Sequence, residues 1–269
     1  MIQGAEAGRH IPEDPSSGGT LAARIVDAPY LPELATSFAR LDDWLSGPGA
    51  SADSDALRDM FGAHPKAREL IAGIFEYSPH LTDLVRADPG RLLRLLQVNP
   101  ELHLRALLEN VVGALSGMTD ESEAMALLRR TKSETALLIA IADIGTVWPV
   151  LQVTRALTEL ADRMVQGAVR FLLNDAMRRG RLTPADPAEP ERGSGYIVLA
   201  MGKMGAFELN YSSDIDLIVF YDPEASAIPD QTEASALYIR VTRGLVKLLQ
   251  ERTADGYVVR VDKTGNARR

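Results

Sequence analysis

The stretch Ser212-Ser213-Asp214-Ile215-Asp216-Leu217-Ile218 combines two acidic residues with an apolar run. Side chains alternate between the two faces of a β-strand, so Asp214 and Asp216 are predicted to share one face while their apolar neighbours enter a core on the other. A second apolar run, residues 257–261, is followed by Asp262 and is predicted to form a strand that pairs with the first. The three carboxylates are therefore candidates for a single cluster.

Three carboxylates of this kind suit Mg²⁺, a hard cation that prefers oxygen ligands and leaves coordination positions for phosphate. We predict that Asp214, Asp216 and Asp262 bind Mg²⁺ and form the catalytic centre of a nucleotidyl or phosphoryl transfer module. The Asp-x-Asp pair alone is ambiguous, because two solvated acids at a strand end give the same pattern. The apolar run after Asp216 favours the metal site, since it predicts a strand buried on both faces with its acids at the sheet edge.

A glycine-containing turn, Met201-Gly202-Lys203-Met204-Gly205, lies between two predicted strands. Gly202 and Gly205 allow a tight turn that brings N–H groups close to a phosphate, and Lys203 adds positive charge. The spacing excludes a Walker loop, because Lys203 is followed by Met204 instead of Ser or Thr. It also excludes a dinucleotide fingerprint, which needs three spaced glycines.

Composition narrows the class of protein further. With 269 residues the chain is long enough for two domains, and its formal charge of -8 argues against a nucleic-acid-binding protein. The absence of cysteine excludes disulfides, zinc–thiolate sites and thiol catalysis, and suits the cytoplasm, which we predict as the location. The most apolar stretch, residues 136–151, is too short to span a bilayer, so we predict a buried helix and turn and no membrane partner.

The rest of the chain is predominantly helical in pattern. Residues 1–22 are predicted to be a disordered leader by composition. Helix starts are predicted where a capping residue precedes proline, as in Ser78-Pro79, Asp88-Pro89 and Asn99-Pro100. Longer helices are predicted over residues 121–144, 151–179 and 233–252, and strands over residues 196–201 and 217–221. Arg129 and Arg130 are interpreted as part of a solvated helix face.

The segment from Leu199 to Ile218, which reads LAMGKMGAFELNYSSDIDLI, closely resembles the signature of bacterial glutamine synthetase adenylyltransferases. Members of that family contain two nucleotidyltransferase-like halves. The wording Asn-Tyr-Ser-Ser-Asp-Ile-Asp resembles the N-terminal half, which removes AMP from the synthetase. The C-terminal half usually reads Gly-Ser-Asp-Leu-Asp. Similarity extends over about residues 23–262.

The resemblance implies an α+β fold with a mostly α-helical N-terminal region, residues 23–145, followed by a small mixed-sheet, polymerase-β-like nucleotidyltransferase domain, residues 146–269. The family continues after its third carboxylate with Leu-Arg-Leu-Arg-Pro, whereas this chain continues with Lys263 and six further residues. The domain is therefore expected to be incomplete at its C-terminus.

The resemblance also assigns roles to the site residues. Asp214, Asp216 and Asp262 match the metal ligands. The remaining matches form the nucleotide-phosphate loop, namely Gly202, Lys203, Gly205, Ser212 and Ser213. The implied reaction is phosphorolysis of an adenylylated tyrosine of glutamine synthetase, with Mg²⁺ as cofactor. Implied partners are glutamine synthetase, nucleotide, phosphate and a PII-type signalling protein.

Two other functions stay open at this point. The chain could be a catalytically inactive module that binds the synthetase or a PII-type protein without turnover. A glycosyltransferase that uses Asp-x-Asp for a sugar nucleotide is a further reading, but the Gly-Lys-x-Gly context offers it no support.

Overall fold

The structure is a computed structural model that describes residues 18–253 and 256–262. Most of the predicted disordered leader, residues 1–22, lies outside the described residues. Within it, the first helix already begins at Leu21, whose side chain is buried.

The described residues form eleven α-helices and one three-stranded sheet. The helices are α1 Leu21–Arg24, α2 Leu34–Ser46, α3 Ala52–Ala63, α4 Pro65–Tyr77, α5 Pro79–Ala87, α6 Pro89–Gln97, α7 Pro100–Gly117, α8 Glu121–Ile144, α9 Val150–Arg178, α10 Gly202–Gly205 and α11 Ala234–Gln250. The strands are β1 Tyr196–Met201, β2 Ile215–Tyr221 and β3 Val261–Asp262. The predicted α+β class is confirmed.

Side-chain caps fix three of the helix starts that the capping residue and proline predict. The hydroxyl of Ser78 accepts the N–H of Leu81, and Asp88 Oδ1 accepts the N–H of Arg91 at 2.8 Å. Asn99 caps α7 in the same way. The first N–H groups of a helix have no acceptor within the helix. Proline at the first helical position has no N–H, and the capping side chain accepts the N–H of the residue two positions after the proline.

The sheet has the order β1-β2-β3. β1 and β2 are antiparallel, with Met201 opposite Asp216, and β2 and β3 are parallel, with Asp216 opposite Asp262. The predicted strand over residues 196–201 is confirmed. The second predicted strand begins two residues earlier, at Ile215. The register therefore brings the end of β1, the start of β2 and the end of β3 to the same edge of the sheet.

The prediction of a strand over residues 257–261 is wrong for most of its length. Only Val261 continues into β3, because the N–H groups of Val258 and Val259 donate to the carbonyl of Leu249 at 3.0 and 3.1 Å. Those donors satisfy the C-terminal end of α11, where helical carbonyls lack partners in their own helix. Tertiary hydrogen bonds therefore override the β-like composition of this segment.

The described residues fall into two compact units. One unit contains residues 107–132, 154–253 and 256–262, and therefore the whole sheet together with α10 and α11. The other contains residues 18–106 and 133–153. In the described part of the chain, no helix has the length and apolarity needed to cross a membrane.

One face of the sheet packs into the core of the first unit. Ile215 and Leu217 are buried on this face, as their alternation with the acidic residues predicts. Tyr196 lies on the same face and its hydroxyl is 2.9 Å from Thr242 Oγ1 of α11, while burial raises its pKa to about 12. The predicted helix over residues 233–252 corresponds to α11, and one side of it is apolar and buried through Leu237, Val241, Leu245, Leu248 and Leu249.

The interpretation of Arg129 as a solvated residue is wrong. Arg129 is only 1% exposed, whereas its neighbour Arg130 is exposed. The guanidinium of Arg129 donates to backbone carbonyls, which makes burial of the charge tolerable. Nothing in an Arg-Arg dipeptide distinguishes these two environments at the level of sequence.

In the second unit, the half-buried carboxylate of Glu101 connects three separate segments. Glu101 of α7 accepts hydrogen bonds from both terminal nitrogens of Arg24, at 2.5 and 2.8 Å, and from Trp148 Nε1 at 2.6 Å. Burial raises the pKa of Glu101, but the hydrogen bonds from Arg24 and Trp148 outweigh it and leave the pKa below its ordinary value. The ionised carboxylate is therefore the form that the fold stabilises.

We expect Glu101→Gln to lower the free energy of unfolding by about 1–3 kcal/mol near neutral pH, because the half-buried guanidinium of Arg24 loses its charged hydrogen-bond partner. Because the folded pKa is depressed, this stabilisation is present above the ordinary pKa of 4.5 and disappears as the pH falls through the folded value. Urea unfolding as a function of pH measures both effects. Glu109→Gln, at an exposed position of the same helix, is the control. Equal losses in the two variants would contradict the assignment.

Candidate functional site

The glycine turn between β1 and β2 is a single helical turn, α10, that begins beside Asp216. Gly202 has φ +53°, and a Cβ atom at this position would lie 2.5 Å from Asp216 Oδ2. The left-handed backbone favours glycine, and a larger residue would have to displace the Asp216 carboxylate. The structure therefore brings the glycine turn into contact with the acidic pair, which the sequence places ten or more residues after Gly202.

The rest of the turn is held against the sheet. A Cβ atom at Gly205 would lie 2.6 Å from the carbonyl oxygen of Ala200, so this glycine permits the turn to fold back onto β1. The side chain of Met204 is buried, whereas that of Lys203 is exposed. Lys203 is thus displayed on a turn whose backbone is fixed on both sides.

Asp214 and Asp262 come to the neighbourhood of Asp216 through different segments of the backbone. Asp214 immediately precedes β2, and the parallel register places Asp262 of β3 opposite Asp216. The side chain of Asp262 lies outside the described part of the structure. Backbone pairing alone therefore brings the third predicted ligand to the strand that carries the second.

Arg260 is a site residue that the sequence reasoning did not single out. Its Nε lies 3.0 Å from Asp214 Oδ1, and its carbonyl accepts the N–H of Ile215 at 2.9 Å. Both charged side chains are largely exposed, so the ion pair orients them without adding much stability. The available signal was the motif Arg-Val-Asp, in which Arg260 precedes Asp262 by two residues.

The two serines occupy the turn that leads into Asp214. Ser213 Oγ donates to Asn210 Oδ1 at 2.9 Å, and the N–H of Ser212 donates to the same oxygen at 3.1 Å. The side chain of Asn210 therefore stabilises the turn, as asparagine commonly does in loops. Ser212 itself is exposed.

The face of the sheet that carries Asp216 is open, which corrects the prediction that β2 is buried on both faces. Alternation and register place Met201, Leu199 and Phe220 on this face, and all three side chains are exposed. Among the described residues, α11 contacts the opposite face through Thr242 and Tyr196, whereas the apolar run of β2 includes the exposed Phe220. The predicted position of the acids at the edge of the sheet nevertheless agrees with the register.

The three acidic residues have the type of ligand atom that a hard divalent cation prefers. Asp214, Asp216 and Asp262 supply carboxylate oxygens, the ligands that Mg²⁺ prefers. Among the side chains that the structure describes, which exclude that of Asp262, no group of three or more His, Cys, Asp or Glu residues is arranged to hold a metal ion. The fit therefore rests on the pairing of Asp262 with Asp216 and on the glycine cradle around the Asp216 carboxylate.

These features describe an α+β protein in which acidic residues and a glycine turn converge at one edge of a small mixed sheet. A family model described as glutamate-ammonia ligase adenylyltransferase matches residues 68–264. The chain belongs to this family.

Curated relatives show the same relationship. A bifunctional glutamine synthetase adenylyltransferase/adenylyl-removing enzyme of Bradyrhizobium diazoefficiens is 51% identical over 247 residues, which are 91% of this chain and 24% of the relative. Proteins with the same name from Rhodopseudomonas palustris (strain BisB5) and Xanthobacter autotrophicus are 50% and 46% identical over 90% and 93% of this chain, and over 24% and 25% of their own lengths. The chain thus spans about a quarter of the length of the curated relatives it matches.

We expect Gly202→Ala to destabilise the first unit more than Gly180→Ala does. Gly180 has a similar φ of +67° but nothing within 4 Å of an added Cβ, so it reports backbone strain alone, about 1–2 kcal/mol. The added methyl group at Gly202 also displaces the Asp216 carboxylate, which adds a loss smaller than that of a clash in a packed core. Urea unfolding of both variants measures the difference. Equal losses would show that the carboxylate is not held against the turn.

Proposed function

We propose that this chain is a Mg²⁺-dependent nucleotidyltransferase-type enzyme that acts on glutamine synthetase and removes AMP from an adenylylated tyrosine by phosphorolysis. The observation that carries the proposal is the packing of Asp216 against Gly202, in a strand whose register places Asp262 alongside. The names of the relatives support the substrate, because they describe enzymes that adenylylate glutamine synthetase and remove the adenylyl group. The wording around Asp214 resembles the half that removes AMP.

In the proposed reaction an oxygen of inorganic phosphate attacks the phosphorus of the tyrosine-bound AMP. The bond from phosphorus to the tyrosine oxygen breaks as the new phosphorus–oxygen bond forms, so the products are ADP and a tyrosine side chain. The leaving phenolate takes up a proton. No oxidant or further co-reactant is needed.

The residues of the chain have distinct roles in this proposal. Asp214, Asp216 and Asp262 would hold Mg²⁺, which when bound neutralises negative charge on the phosphoryl oxygens and aligns the reacting groups. Lys203 and the backbone of the glycine turn would bind phosphate oxygens, as would Ser212 and Ser213. Binding phosphate and nucleotide next to one another reduces the entropic barrier to reaction.

The proposed activity would have a role in nitrogen metabolism. By removing AMP, the chain would regulate glutamine synthetase and hence nitrogen assimilation in the cytoplasm. A PII-type signalling protein would be a regulatory partner, and adenylylation with ATP would belong to the family enzymes at full length.

The competing function is a module that binds the synthetase without turnover. The purified 269-residue chain is incubated with adenylylated glutamine synthetase, phosphate and Mg²⁺, and ADP is measured. ADP formation that depends on both phosphate and Mg²⁺ supports the proposal. Retained binding of the synthetase without ADP would favour the binding module instead.

We expect Asp216→Asn and Asp214→Asn each to reduce ADP formation by about 100-fold or more, because charge stabilisation in the transition state is lost. Both variants should also lose Mg²⁺ binding in a calorimetric titration while the far-UV circular dichroism spectrum is unchanged.

The matched control is Asp222→Asn. Asp222 follows the opposite end of β2, is exposed, and accepts the N–H of Glu224 through Oδ1, a contact that asparagine retains. Its ADP formation should equal that of the wild-type chain. Wild-type rates in Asp214→Asn and Asp216→Asn would refute the metal assignment.

A further inference from the structure

A buried arginine on α8 makes contacts to the segment that leads to the third predicted metal ligand. Arg129 Nε donates to the carbonyl of Gly256 at 2.9 Å, and Nη1 donates to the carbonyls of Leu248 at 3.2 Å and Met125 at 2.9 Å. Nη2 donates to the carbonyl of Glu251. Three of these acceptors lie more than 100 positions away in sequence, since the separations are 127, 119 and 122 residues.

The acceptors explain why a charge is buried here. Leu248 is in the last turn of α11, and Glu251 directly follows that helix, so their carbonyls lie where helical carbonyls lack intrahelical partners and the helix dipole is negative. A guanidinium has five N–H donors in a rigid plane, so a single side chain can connect the helix end to the turn at Gly256. A lysine has a single ammonium group, which cannot donate to the helix end and to the turn at the same time.

From Gly256 the chain is held along a continuous path to the site. Val258 is buried, and its N–H and that of Val259 donate to the carbonyl of Leu249. The carbonyl of Arg260 then accepts the N–H of Ile215, after which Asp262 pairs with Asp216. β3 itself has two residues, too few to hold a strand in register by pairing alone.

A second residue of α8 faces the same segment. Lys132, one turn after Arg129, places its ammonium 5.9 Å from the centre of the Tyr257 ring, within the range of a cation–π contact. Burial lowers the pKa of Lys132. Through these two residues α8 contacts Glu251, Gly256 and Tyr257.

We propose that Arg129 is a positioning residue of the candidate site, which fixes the C-terminal end of α11 and the turn at Gly256 so that β3 delivers Asp262 next to Asp216. The metal-binding part of this inference rests on the proposed function. The positional part concerns the backbone of residues 256–262 and is independent of it.

The experiment compares Arg129→Met with Arg130→Met, which removes an exposed charge at the adjacent position. Amide hydrogen exchange is followed in peptides covering residues 256–262 and, as a reference, in residues 137–142, which lie in the other unit. We expect faster exchange at residues 256–262 in Arg129→Met only, with the reference unchanged. Calorimetric titration with Mg²⁺ should show affinity weakened by about 10–100-fold, the range for loss of a residue that orients metal ligands.

Arg129→Lys separates geometry from charge and covers the case in which Arg129→Met fails to fold. Lysine retains the positive charge but cannot reach the helix end and the turn together, so we expect faster exchange at residues 256–262 and weaker Mg²⁺ binding in a folded chain. Wild-type exchange and affinity in Arg129→Lys would overturn the proposal, as would equal acceleration in both peptides. If the wild-type chain binds no Mg²⁺, the proposed function fails, while the exchange comparison still decides whether Arg129 positions the segment.

Discussion

The close approach of the Asp216 carboxylate to the backbone of Gly202 is the constraint on which the candidate site depends. A Cβ atom at Gly202 would lie 2.5 Å from Asp216 Oδ2, and the left-handed conformation at Gly202 also favours glycine. The antiparallel register of β1 and β2 sets this approach, because it places Met201 opposite Asp216. The glycine turn and the acidic pair are therefore one structural element.

Support for the site is unevenly distributed. On the inner face of the sheet, α11 and the buried residues of β2 hold the strand rigidly, and Tyr196 links β1 to α11. The outer face carries exposed apolar residues around Asp216. The third strand pairs with β2, and the segment before it is hydrogen-bonded to Leu249 of α11 and to Arg129 of α8, a distant part of the chain. Support on one face leaves Asp214 exposed and Asp216 partly exposed.

Local chemistry predicted much of this architecture. The caps at Ser78, Asp88 and Asn99, the strand over residues 196–201 and the apolar side of α11 follow from short-range rules that tertiary contacts reinforce. The features that were missed depend on long-range partners. Leu249 takes the N–H groups that would have extended β3, and the carbonyls around Arg129 bury a residue type that is usually solvated.

In the candidate site, too, short-range patterns predicted some features, while others depend on long-range contacts. Alternation predicted that Ile215 and Leu217 would enter the core, and they do. It could not show that only one face of β2 is covered, because a run of apolar residues looks the same in either case. The ion pair between Arg260 and Asp214 was equally inaccessible, since it depends on how two separate segments pass each other. The roles of the acids in metal binding and of the serines in phosphate binding stay predictions.

The parallel pairing of β2 with β3 has a consequence for how the protein assembles. Parallel neighbours require a crossover, and here the chain from Tyr221 to Val261 includes the whole of α11. Closing so long a loop has an entropic penalty that two residue pairs cannot offset, so the pairing of β3 depends on the docking of α11. A substitution that loosens α11 far from the acids would therefore separate the backbone of Asp262 from that of Asp216.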